Sequence, residues 1–189
     1  MTDTARRTPR TVARCAQVAL AAAAVADAFR AVAVRDDYLH PSAAALHRSG
    51  TLSMIFVYVM TSAVVLFLVW LARSRSTVQQ LSPEAPVPSR GWTIGAWFIP
   101  VVNLFVPRRL VLDIGRASSP SWERKRGTTL VNLWWAAWVA HAAVLLVAGR
   151  VAPGSMALLV LAEALMLAAA VLLGLVIERV AAAPSGRPS

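Results

Sequence analysis

The sequence predicts an all-α integral membrane protein, a bundle of four transmembrane helices with both termini cytoplasmic. Three observations predict it. Hydrophobic residues make up 58% of the 189 positions and charged residues only 15%, a balance outside the range of soluble domains. Four apolar runs reach, or nearly reach, the roughly 20 residues that a helix needs to cross about 30 Å of hydrocarbon. The basic residues are distributed unevenly around those runs. A formal charge of +10 also suits a nucleic-acid binder, but these arginines border apolar runs instead of forming one face of a polar domain, so no nucleic-acid partner is expected. A single cysteine excludes an internal disulfide, and His40, His47 and His141 lie too far apart for a zinc site, so neither metal nor cofactor is expected.

Residues 1–10 form a basic cytoplasmic N-terminus, and residues 11–179 a single membrane domain. The first span, residues 11–34, is mostly alanine and contains Asp27 and Arg30. Its basic start and the small-residue triplet Ala26-Asp27-Ala28 also suit a cleavable signal peptide, but the apolar run continues through AFRAVAV, which favours an uncleaved helix. The second span, residues 51–72, carries no charge. A cytoplasmic linker is expected over residues 73–90, with Pro83, Pro86 and Pro88 extending it. The third span covers residues 128–148 and the fourth residues 155–177, with one acid at Glu163; residues 180–189 read as a disordered tail.

Between the second and third spans stands GWTIGAWFIPVVNLFVPRRLVLDI. Its first part is too short for a straight span once Pro100 and Pro107 each remove a backbone donor. The carbonyls those prolines release cannot face lipid and need a neighbouring helix, water or a side chain such as Asn103. A re-entrant or interfacial segment over residues 91–118 fits. From Pro107, well placed in a first helical turn, the pattern becomes amphipathic: Leu110, Val111 and Ile114 share one face, with Arg109, Asp113 and Arg116 on the other. This helix is expected in the cytoplasmic interface, with Arg108 and Arg109 toward anionic headgroups.

With four spans and an internal N-terminus, fifteen of the 19 Lys and Arg residues fall on the cytoplasmic side, leaving only Arg30, Arg35, Arg48 and Arg150. A fifth span at residues 91–106 would move Arg108 through Arg126 outside and erase that bias. The expected location is therefore a bacterial plasma membrane, crossed four times, with anionic lipid headgroups as partners.

Trp92, Gly95, Trp97-Phe98-Ile99-Pro100, Asn103-Leu104 and Pro107, followed by Asn132 and Trp134-Trp135-Ala136-Ala137-Trp138, resemble the bacterial domain of unknown function 4328 family. The specific match covers roughly residues 91–139. The resemblance implies a small four-span membrane protein of an actinomycete type. It implies no activity, and no catalytic or binding residue carries across.

Ionisable residues inside a span are candidates for function. Asp27 and Arg30, three apart, can pair on one face. With His141 and Glu163 they reach a similar depth toward the outer end, where one polar cluster is expected. Glu163, Ala170 and Gly174 share a helix face of the kind that permits close approach. Trp134, Trp138 and His141 form a stripe suited to packing or to an interface. No zinc-protease, nucleophile-elbow or phosphate-loop motif is present, so no enzymatic activity is expected. The leading reading is a scaffold, sensor or regulator that meets another membrane or cytoplasmic protein through the loop; the alternative is a transporter or channel subunit, acting as a homo-oligomer, with an outer-leaflet polar cavity. Convergence of the four polar residues favours the second, and scatter favours the first.

Overall fold

The computed structural model describes residues 4–81, 89–95, 97, 99, 105–118 and 126–182. Pro100, Asn103, the linker prolines, the basic run through Lys125 and the tail from residue 183 lie outside the described residues. All regular elements among the described residues are helical: α1 (Thr4–Leu39), α2 (Ala43–Leu81), α3 (Arg90–Gly95), α4 (Val106–Ser118), α5 (Arg126–Val151) and α6 (Met156–Ala181).

Four of them, α1, α2, α5 and α6, are long and apolar enough to cross a membrane. Each is longer than its apolar run. The 39 residues of α2 span about 58 Å, roughly twice the hydrocarbon thickness. Its excess lies at both ends, so the part of the expected linker from Arg73 to Leu81 is helix instead. Nothing there breaks a helix before Pro83. The hydroxyls of Ser76 and Thr77 bond back to the carbonyls of Ala72 and Arg73, while Ser74, Arg75 and Val78 are buried at helical spacing.

Helix ends follow local chemistry. The first helix stops at Leu39, just before His40-Pro41, because proline disfavours helix at the residue it follows. Ser42 then caps α2 by accepting from the amide of Ala45 at 3.1 Å. Ser155 starts α6 in the same way, accepting from the amide of Leu158.

The α1–α2 and α5–α6 hairpins pack side by side through α1 and α6, and α4 lies against α2, α5 and α6. Two ends result. One carries the α1–α2 and α5–α6 turns. The other, the loop end, carries α3, α4 and the starts of α1 and α5. Large core side chains gather toward the loop end: Phe67, Trp70 and Leu71 from α2, Ile114 from α4, Trp134 from α5 and Ile177 from α6. Toward the turns the buried apolar residues are mostly small, among them Ala23, Ala24, Ala33, Ala45 and Ala162. The outer surface is apolar: Val18, Phe29, Val57, Tyr58, Leu146 and Val171 are each more than half exposed, as lipid-facing residues are and soluble surfaces rarely are.

The apolar face of the amphipathic helix is covered by its neighbours: Leu110, Val111, Leu112 and Ile114 are all buried by protein. The apolar arc of α4 is wide enough to fill the gap among α2, α5 and α6. Pro107, also buried, sits in its first turn.

Candidate functional site

Asp27, Arg30, His141 and Glu163 lie near enough to one another for the charges of the first three to act on the Glu163 carboxyl. On α1, Arg30 donates from Nε and Nη2 to Oδ1 of Asp27 at 2.8 and 2.6 Å. Asp27 is only 1% exposed. The Arg30 guanidinium lies 4.8 Å from the ring centroid of Phe56 on α2, a cation–π contact that helps to hold the charge in a region of low polarity.

On α5, His141 is buried and its Nδ1 lies 2.9 Å from the carbonyl oxygen of Ala162. A carbonyl only accepts, so Nδ1 carries the hydrogen and Nε2 of the neutral ring keeps a lone pair. Trp138, one turn earlier, stacks with the imidazole at a centroid distance of 6.5 Å.

Ala162 is followed by Glu163. Both carboxyl oxygens of Glu163 are buried and have no hydrogen-bond partner among the described residues. The charges that act on this carboxyl are those of Asp27, His141 and Arg30. An ionised carboxylate without donors is expensive to bury. Asp27 and Arg30 pair as opposite charges, and His141 and Glu163 are the two further ionisable groups beside them.

Along α6 the buried stripe is Ala162, Met166, Ala169, Leu173, Val176 and Val180, one residue away from the expected face of Glu163, Ala170 and Gly174. Glu163 borders this stripe. Gly174 is not a point of close helix approach, since a Cβ there would meet nothing within 4 Å. Its carbonyl instead accepts from Nε2 of Gln17 at 2.9 Å.

A second constellation holds the loop end. Arg108 donates from Nε to Oδ1 of Asn132 at 2.9 Å, tying the first turn of α4 to α5. Trp134 and Trp135, both buried, meet edge to face at 5.3 Å. Trp97 meets Phe67 of α2 edge to face at 5.2 Å, and its indole Nε1 is buried without a hydrogen-bond partner among the described residues. Trp92 and Arg109 are exposed. Asp113 lies 3.9 Å from Arg116. Burial raises the Asp113 carboxyl above the ordinary aspartate range, opposed by the positive charges of Arg116 and Arg109. Pro100 and Asn103 remain outside the described residues.

Sequence reasoning missed the clasp between α1 and α6, in which Arg14 pairs with Glu178 at 3.1 Å and Gln17 donates to the same carboxylate. Arg14 and Gln17, three apart on one helix face, were the available signal. Recognising it required knowing that α1 and α6 are neighbours. The same applies at the turn end, where Arg48 pairs with Asp36, Ser49 donates to Asp37 at 3.0 Å and Arg35 donates to the carbonyl of Gly154.

No curated protein and no solved structure matches the chain. A family model does, over residues 35–182, from the last turns of α1 to the end of α6. His141, Glu163 and the Arg108–Asn132 pair fall inside the matched region, while Asp27 and Arg30 precede it. By this match the chain belongs to the family described as Domain of unknown function (DUF4328), as its tryptophan, proline and asparagine pattern implied.

Proposed function

We propose that this protein is a small, non-enzymatic transporter or channel subunit that takes up and releases a proton at the Asp27–Arg30–His141–Glu163 cluster. The observation that carries this reading is the Glu163 carboxyl, buried without a hydrogen-bond partner among the described residues and acted on by charges from α1 and α5. Membrane proteins keep ionisable groups at such depth chiefly where they serve an ion or proton path. The Asp27–Arg30 pair supplies fixed compensation, and His141 supplies the second titratable group.

The basic bias of the loop end supports a cytoplasmic location for it and for both termini in a bacterial plasma membrane. The cluster then lies toward the outer leaflet. Exposed Trp92 and Phe105 suit the headgroup layer. Four helices leave little room for a path within one subunit, so the working unit is a homo-oligomer.

Scaffolding through the loop end is the weaker reading, because the apolar face of α4 that a partner would use is already spent on α2, α5 and α6. The test is proton flux into proteoliposomes, followed with an enclosed pH-sensitive dye. Wild type should carry protons with a rate that depends on pH, and Glu163→Gln should abolish that dependence. Equal rates and equal pH profiles for the two proteins would refute the proposal.

A further inference from the structure

A second feature lies away from the cluster. Between α2 and α3 runs an open groove of about 490 Å³. Its wall is graded along α2: Val65, Leu68 and Val69 come first, then Arg73 and Ser76, with Thr93 of α3 opposite. The change falls where the uncharged run of α2 ends at Ala72, the level at which a helix leaves hydrocarbon for headgroups.

From this gradient we infer that the groove binds one anionic phospholipid, its phosphate on Arg73 and the upper part of one acyl chain along Val65, Leu68 and Val69. Charge selects the occupant. The Arg73 side chain is exposed, and no described carboxylate lies within ion-pair distance of it. Asp27, Asp36, Asp113 and Glu178 pair instead with Arg30, Arg48, Arg116 and Arg14. The hydroxyls do not compete for the donor role: Ser76 donates to the Ala72 carbonyl and Thr93 to the Ser89 carbonyl. Their oxygens are therefore acceptors, which would repel an uncompensated phosphate without the guanidinium beside them. A free phosphate would leave the apolar half of the groove unfilled. A zwitterionic lipid would set its own cation beside Arg73.

The site stands apart from the proton cluster, and either proposal can fail alone. The full-length protein in mild detergent, with equal amounts of phosphatidylglycerol and phosphatidylcholine, is observed by native mass spectrometry. Wild type should keep one phosphatidylglycerol about fivefold in preference, the scale set by one arginine at a headgroup surface. Arg73→Gln should bring the two lipids to parity, and Val69→Trp, which fills the groove at a partly exposed position, should lose the bound lipid. Arg48→Gln at the turn end should keep the preference. Equal retention by wild type, an undiminished preference in Arg73→Gln, equal loss in Arg48→Gln, or displacement of the lipid by millimolar inorganic phosphate would each overturn the site.

Discussion

The Arg108–Asn132 bond ties the first turn of α4 to α5, and a double-mutant cycle measures it. Arg108→Met removes the donor and keeps the aliphatic stem, and Asn132→Leu removes the acceptor at similar volume. A hydrogen bond from a charged donor contributes about 1.5–3 kcal/mol. Arg108 is partly buried and its 2.9 Å bond uses a single nitrogen, which places it near the lower end, about 1.5 kcal/mol. That is roughly a tenfold change in the unfolding equilibrium. Asn132→Leu should cost more than Arg108→Met, because it strands a partly buried guanidinium, whereas the reverse change strands only a neutral amide. Unfolding by sodium dodecyl sulfate in detergent micelles, followed by tryptophan fluorescence, gives the four stabilities. Leu110→Ala, in the buried face of α4, is the reference and should cost about 2–5 kcal/mol. A coupling below about 0.5 kcal/mol, the range in which independent sites add, would show that the bond does not hold α4, even if both single variants are destabilised.

Asp113 gives a pH dependence with a definite sign. Because its folded-state affinity for a proton is raised by burial, its contribution to stability is fully present below the ordinary aspartate value of 3.8 and is lost as pH rises through the raised value. Asp113→Asn should remove that decline and leave the neutral-pH protein as stable as wild type or slightly more so; a marked loss of stability at neutral pH would show that the Arg116 pair outweighs burial. For topology, single cysteines placed at Trp92 and at Asp113 in a Cys15→Ser background should both react only with reagent that reaches the cytoplasm, and external labelling at Asp113 would contradict the orientation. Phe56→Ala should destabilise by about 0.5–2 kcal/mol through loss of the cation–π contact and ring packing around Arg30, and an unchanged midpoint would mean that Asp27 alone holds the guanidinium.

Periodicity, charge and proline carried much of this structure in the sequence itself. The uncharged run at residues 51–72 marked α2, and Pro107 marked the first turn of α4. The four polar residues could be assigned a common depth because depth depends only on distance along each helix. Their meeting depends also on helix rotation and neighbour order, which no run of hydropathy contains. The same limit hid the Arg14–Glu178 clasp and placed the face of α6 one residue from its true position, since lipid-facing and core-facing residues of a membrane helix are equally apolar. Amphipathicity left the partner of α4 open for a related reason: the arc Leu110, Val111 and Ile114 fits a lipid interface and a gap among three helices equally well, and its burial against α2, α5 and α6 is legible only in the fold.

The central claim is that the cluster around Glu163 takes up and releases a proton inside the bundle. Infrared difference spectroscopy of the protein in a bilayer film, recorded as pH is raised across neutrality, tests it most directly through the C=O stretch of a protonated carboxylic acid. The account predicts a band that disappears with rising pH, is absent in Glu163→Gln and shifts its midpoint in His141→Gln. A wild-type spectrum whose protonated-carboxyl region does not change with pH, or changes identically in Glu163→Gln, would contradict it.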